Sequence, residues 1–244
     1  MISSQISLAF KKCKKEKRPA LLTYTVAGDN TKKKSLEILN SVSNHADICE
    51  IGFPHNTPIA DGGQIQTSSY RAIKNGIKMK DVFQIVKKFK NNKNSKPVIL
   101  MGYYNMICQY GENKFIKKCK KNFITFVQLL SPTTSNLRMK KIVSDSHEMI
   151  YLISMLSTTG GKLKISPKQI FKNYNKIKRI IKTKNKNLVI GFGITSKNIS
   201  SFKASDGCVV GSEICKKISK SVKNGQNPVI NVSNMVKKLK NKIS

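Results

Sequence analysis

Two carboxylates, Glu50 and Asp61, stand eleven residues apart, the second lying past Pro54 and Pro58 and just before Gly62-Gly63. Acids placed in different surroundings can divide acid and base work between them. The run from Ala46 to Phe53 is short, apolar and interrupted by Gly52, which reads as a buried strand. Glu50 then sits near the strand's C-terminal end, where apolar neighbours desolvate its carboxyl and let it keep a proton near neutral pH. Asp61 falls in the loop beyond, more solvated and ionised, as an acceptor or base. Spacing alone also allows a plainer reading. Glu50 is then a satisfied polar residue in a strand, and Asp61 caps a helix begun by Gln64-Ile65-Gln66.

The elements that must position these acids alternate along the chain. Apolar runs at 20–27, 46–53, 97–103, 123–130, 149–154, 187–191 and 207–210 are strand candidates. Lysine-rich segments at 33–44, 80–91, 112–121, 135–146, 167–182 and 212–222 show helical spacing between them. Strands alternating with helices predict an α/β parallel sheet or barrel. The 244 residues suit a single domain, 1–244, close to the roughly 250 residues of a (β/α)8 barrel.

The formal charge of +34 raises the question of nucleic acid. Only four of the 46 basic residues are arginines, at 18, 71, 138 and 179, and the lysines run from end to end among asparagine and isoleucine. Bidentate phosphate and base contacts favour arginine, and no nucleic-acid motif accompanies the lysines. They read as a solvated helix face of a chain from an AT-rich genome, with a weaker role in attracting an anionic phosphate ester. Cysteines 13, 49, 108, 119, 208 and 215 have neither paired spacing nor nearby histidines, so neither a disulfide frame nor a metal site is expected. His45, His55 and His147 are far apart and read as structural. No stretch is long and apolar enough to span a bilayer. The N-terminal apolar run precedes its lysines, the reverse of a secretory signal, so a cytoplasmic protein is expected.

The residues of the acid-bearing segment carry more than spacing. Glu50-Ile-Gly-Phe-Pro-His-Asn-Thr-Pro-Ile-Ala-Asp61-Gly-Gly-Gln-Ile-Gln66 resembles the signature of the tryptophan synthase alpha chain family, roughly ELGxPFSDPxADGPxIQ. Further similarities follow in order. Thr25-Val26-Ala27-Gly28-Asp29 resembles TxGDP, with Asn30 where proline is usual. Leu100-Met101-Gly102-Tyr103-Tyr104-Asn105 resembles LMxYYN, and Ser131-Pro132-Thr133-Thr134, with Arg138, Ile142 and Ile150-Tyr151, resembles the PTT region. Gly191-Phe192-Gly193-Ile194 and Gly211-Ser212 are similar to the two late phosphate-binding turns.

The resemblance implies a TIM-type barrel that cleaves indole-3-glycerol phosphate to indole and glyceraldehyde 3-phosphate late in L-tryptophan biosynthesis. It implies Glu50 as the acid that protonates the ring carbon. Asp61 then stabilises positive charge on the indole nitrogen and assists its proton loss, and Tyr103 lies close to the reacting part. Tyr24 aligns with an aromatic wall of the indole pocket, where an apolar, stacking face favours the ring. Gly193 and Gly211-Ser212 each follow a strand and open a helix start, where backbone N–H groups bind an anion. Thr159 and Gly160 keep the TG end of a closing loop, from which Thr159 can bond Asp61. The family's partner is a beta chain carrying pyridoxal phosphate, in an alpha2-beta2 tetramer, and no cofactor is expected on this chain.

Three departures matter. Between residues 111 and 134 about one βα unit is missing, because the helix 112–121 leads straight into the run at 123–130. Strand number, tilt and shear are linked in a barrel. Either seven strands close it, or a gap is left to be covered, or the protein is decaying. In the closing loop Met155 and Ser157 replace a basic residue and a glycine. After Glu50, His55, Asn56 and Thr57 replace the usual Phe, Ser and Asp of the partner-contacting loop. These departures motivate an alternative, a catalytically weakened scaffold that mainly binds and activates the beta chain.

Overall fold

The computed structural model describes residues 4–154, 166–181 and 186–244. Its elements in chain order are α1 (Gln5–Lys15), β1 (Ala20–Val26), α2 (Lys32–Ser43), β2 (Ile48–Gly52), α3 (Gly63–Lys74), α4 (Met79–Lys90), β3 (Val98–Met101), α5 (Tyr104–Tyr110) and α6 (Glu112–Lys121). There follow β4 (Gln128–Leu130), α7 (Asn136–Asp145), β5 (Met149–Ile153), α8 (Pro167–Ile181), β6 (Asn187–Gly191), a 3-10 turn (Ile199–Phe202), β7 (Gly207–Val210), α9 (Ser212–Lys223) and α10 (Pro228–Ile243). Local chemistry sets several helix starts. Ser4 accepts from the Ser7 N–H, Thr31 from Lys34 and Ser135 from Arg138, while the Asp81 carboxylate reaches back to the Lys78 N–H at 2.9 Å.

The seven strands form one parallel sheet in the order β3-β2-β1-β7-β6-β5-β4. Consecutive strands lie side by side, and the sheet curls because β1 pairs with β7, Ala20 opposite Gly207. Among the described residues β3 and β4 do not pair, so the curl stays open at the place where the sequence is short of a βα unit. Of the outcomes left by the strand count, closure with seven strands does not occur among the described residues, and a gap is left between β3 and β4. The gap also corrects the fourth strand. Only Gln128–Leu130 of the run 123–130 is extended in the sheet, and Phe123 takes a left-handed φ of 52°. A strand with one neighbour has half the ladder to hold it, and Phe123 and Phe126 lie exposed.

Register decides which side chains face inward. Tyr24 pairs with Glu50 and Glu50 with Ile99, and across the curl Leu129 pairs with Tyr151 and Tyr151 with Val189. Ile99 and Val189 of this layer, with Leu22, Ile48, Met149 and Val209, pack with Ile6, Phe10 and Cys13 of α1. Ile48 and Met149 are the first residues of their strands, so α1 seals the N-terminal end of the barrel. The outward residues, such as Leu21, Ile150, Leu188, Ile190, Cys208 and Val210, pack under α8, α9 and α10. Arg18 holds Asp47 with two parallel bonds of 2.8 and 2.9 Å, and Lys240 of α10 adds a third at 2.6 Å. Burial alone raises the Asp47 pKa, but these cations hold it below the ordinary carboxylate value.

Three helices were not among the sequence expectations, α1, α5 and α10, and α3 entered only through the plainer reading in which Gln64-Ile65-Gln66 begins a helix. The turn after Gly193 was expected to open a helix at Thr195, and instead Asn198 caps it. Asn198 Oδ1 accepts from the Thr195 N–H at 2.7 Å, and only the 3-10 turn Ile199–Phe202 follows. No helix among the described residues is long and apolar enough to cross a membrane.

Candidate active site

A cavity of about 240 Å³ opens at the C-terminal ends of the strands, where α/β barrels carry their chemistry. Its wall includes Tyr24, Glu50, Asp61, Tyr103, Gly193, Gly211 and Ser212 together. Thr159 and Gly160 lie outside the described residues.

Glu50 reaches the cavity from β2 and is 1% exposed. Its Oε2 is buried with no hydrogen-bond partner among the described residues. Burial first, and the nearby Asp61 second, push its pKa up to about 8, so the carboxyl keeps its proton at neutral pH. Asp61 is half-buried on the loop between β2 and α3. It does not serve as the cap of α3, because Gly62 occupies that position. Tyr103, just past β3, bridges the two loops: its hydroxyl donates to Asp61 Oδ2 at 3.2 Å and accepts from the Ala60 N–H at 2.9 Å. Desolvation and then Asp61 raise its pKa to about 12, so the phenol stays a donor. The Tyr24 phenol is driven well above its ordinary pKa by burial and then by Asp61.

Three strand-end glycines make room for the aromatic walls. A Cβ on Gly52 would come within 2.0 Å of the Tyr24 hydroxyl. On Gly102 it would meet the Phe53 ring at 2.0 Å, and on Gly191 the Tyr151 hydroxyl at 2.1 Å. Phe53 and Tyr151 were not among the residues picked from the sequence. The signal was present in the glycines of the quoted motifs, each marking a close approach.

The far wall is made of two turns. Phe192 and Gly193 both have φ of 68°. Their carbonyls are tied back, the first by the Ser154 hydroxyl at 2.6 Å and the second by the Asn198 amide at 2.9 Å. Gly211 caps α9 and Ser212 begins it. Glu213, also missed by the sequence reading, joins the turns: its carboxylate accepts from the Ser196 N–H at 2.5 Å and the Ser196 hydroxyl at 2.6 Å.

Two substitutions take on physical content. Asn30 has φ of 71°, which proline cannot adopt, so the loop after β1 requires its replacement. Asp29 beside it is buried and gripped by Arg71 of α3 with bonds of 2.7 and 2.9 Å. His55 lies against Tyr103 with ring centroids 4.9 Å apart, and Asn105 meets its Nε2 at 3.3 Å. Among the described residues no group of three or more His, Cys, Asp or Glu is placed to hold a metal ion.

Comparison with known proteins identifies the family and the fold. The family model of the tryptophan synthase alpha chain matches residues 10–127 and again 117–244, two pieces that overlap at the shortened region. The tryptophan synthase alpha chain of Pelagibacter ubique is 65% identical, covering 99% of this chain and 100% of that one. The alignment runs over 266 positions against 244 residues here, so at least 22 positions of it have no counterpart in this chain. The alpha chain of Thermococcus kodakarensis is 34% identical over 86% of this chain and 91% of its own. The crystal structure of the alpha subunit from Legionella pneumophila superposes with a TM-score of 0.87 at 24% identity, covering 99% of this chain and 98% of that one. With the match running nearly end to end and interrupted only where the sheet is open, the chain belongs to the tryptophan synthase alpha chain family.

Proposed function

We propose that this chain is a lyase that cleaves indole-3-glycerol phosphate by a retro-aldol reaction to indole and glyceraldehyde 3-phosphate, in the last steps of L-tryptophan biosynthesis. The observation that carries the reading is Glu50, buried and protonated at neutral pH, in one cavity with Asp61 and the two glycine turns. Glu50 gives its proton to the ring carbon that bears the glycerol phosphate. The Asp61 carboxylate, oriented by Tyr103, stabilises the positive charge that then builds on the indole nitrogen and assists loss of its proton. As the carbon–carbon bond breaks, its electrons return to the ring, the ring nitrogen takes back from Asp61 the proton it gave up, and the neighbouring hydroxyl becomes the aldehyde. The hydroxyl proton passes to Glu50, now the base left beside it. Tyr24 walls the ring. The turn at Gly193, its carbonyls tied back, and the α9 N-terminus at Gly211-Ser212 take the phosphate through backbone N–H groups. Thr159 and Gly160 are assigned to closure over the substrate.

The partner we assign is a tryptophan synthase beta chain, in an alpha2-beta2 tetramer, with pyridoxal phosphate on the beta chain and no cofactor here. Its contact is the loop between the two acids, where Asn56 and Thr57 are exposed and Ile59 is 77% exposed. The compartment we assign is the cytoplasm, and the whole of 1–244 acts as one barrel domain. The open edge between β3 and β4 favours a second reading, a weak catalyst that chiefly activates the beta chain.

Indole release from indole-3-glycerol phosphate, with and without a cognate beta chain, separates them. The lyase reading expects activity in the wild type that is lost in Glu50→Gln and Asp61→Asn. A wild-type chain that binds and activates the beta chain but releases no indole selects the scaffold.

A further inference from the structure

The opening between β3 and β4 leads into a second cavity, of about 490 Å³, which falls in the ~300–1,000 Å³ range of small-molecule sites. Phe115, Ile116, Cys119, Ile124, Phe126 and Val127 line it and take no part in the reaction pocket. Phe53, Met101, Gly102, Leu129 and Tyr151 line both cavities, so the two adjoin along a shared wall. The second cavity's wall is mainly apolar and aromatic, with Phe53 and Phe115 edge to face at 6.1 Å, and Lys120, Thr125 and His147 supply its polar side chains. Its rim carries Phe126 at 71% and Ile116 at 49% exposure. A wall of this kind accepts a flat, uncharged aromatic and offers a phosphate ester no nest of backbone N–H groups.

We infer that the gap in the barrel is a second binding site, for a planar apolar aromatic of the indole class, and that it gives the reaction pocket a sideways exit. The inference rests on the proposed lyase reaction only for the choice of ligand, because indole is the apolar product released against the shared residues. The glycerol phosphate half is retained at the opposite wall. Product can therefore leave through the open side of the sheet as well as through the mouth at the strand ends.

Free indole is the probe, and its fluorescence reads its own surroundings, because the chain contains no tryptophan. Titrated into the intact chain with excitation beyond tyrosine absorption, indole is expected to bind at two molecules per chain, both with blue-shifted emission. Val127→Phe and Cys119→Phe fill the lateral cavity alone and are each expected to lower the count to one. Because either variant can fail to fold, intermolecular NOEs from indole to the methyl groups of Ile116 and Val127 are measured on the wild type. One indole per chain, two in both folded variants, or NOEs confined to Ile65 and Ile153 of the reaction pocket would overturn the site. So would burial of the opening in a self-dimer by sedimentation, with no indole at Ile116. Failure of the lyase reading shows separately, as absence of turnover while two indoles still bind.

Discussion

Replacing Glu50 with glutamine should change the pH dependence of stability, and the size follows from burial. The folded-state pKa lies at about 8 against an ordinary value of 4.5. Below pH 4.5 both folded and unfolded chains hold the proton, and the group has no effect. Between the two values the unfolded chain releases the proton and the folded chain keeps it, so wild-type stability falls as pH rises and levels off above the folded pKa. At about 1.4 kcal/mol per pH unit, the loss reaches roughly 3 kcal/mol at pH 7 and roughly 4 kcal/mol at pH 8, and levels off at about 5 kcal/mol above that. Glu50→Gln keeps the shape and removes the titration. Any cost of burying the amide is independent of pH, so the difference between variant and wild type should widen steadily in the variant's favour. Urea unfolding of both proteins at pH steps between about 5 and 8 measures this difference. A gap that stays constant over the range would mean that Glu50 titrates normally in the folded chain, and the argument for a neutral acid would fail.

Other consequences are smaller or more local. Tyr103→Phe removes the donor to Asp61 and the acceptor for Ala60; a bond to a charged group is worth about 1.5–3 kcal/mol, so kcat for indole release should fall between tenfold and a hundredfold with the fold intact by circular dichroism. Gly52→Ala places a methyl group on the Tyr24 hydroxyl, and overpacking of this kind costs about 1–3 kcal/mol. It should lower the unfolding midpoint and raise KM for the indole substrate, whereas an unchanged KM would remove Tyr24 from the pocket wall. Arg71→Ala strands the buried Asp29 carboxylate, and breaking such a pair costs about 3–5 kcal/mol, visible as a lower Tm. Glu213→Ala frees the Ser196 turn from α9 and should raise KM for the phosphate ester, with Glu213→Gln intermediate because the amide oxygen still accepts one bond.

The strand set was legible because buried parallel strands are continuous apolar runs, and all seven observed strands fall inside the expected runs, β1, β5, β6 and β7 at nearly full length. The fourth was overextended, since Phe123–Val127 is as apolar as a strand yet pairs with no neighbour among the described residues. Helix α5 gave little lysine-rich periodicity and was missed, α3 was foreseen only at its start at Gln64-Ile65-Gln66, and α1 and α10 were passed over at the ends of the chain. Asn198 ended the expected helix after Gly193 by a side-chain bond that no local pattern announces.

By itself the sequence determined which chemistry the chain can hold and where the barrel is short. Glu50, Asp61, Tyr103 and the glycine turns are written in residue types and order, and a missing βα unit is a matter of counting. Tertiary structure alone decided the rest. The raised pKa of Glu50 comes from burial among inward side chains of several strands, and Tyr103 meets Asp61 across 42 residues of chain. The glycines at 52, 102 and 191 acquire meaning only when a neighbouring strand lays an aromatic ring over each. The place of the gap is likewise a long-range fact. Pairing of β1 with β7 closes one side of the curl, and the edges left over, β3 and β4, are those whose intervening partner the chain does not encode.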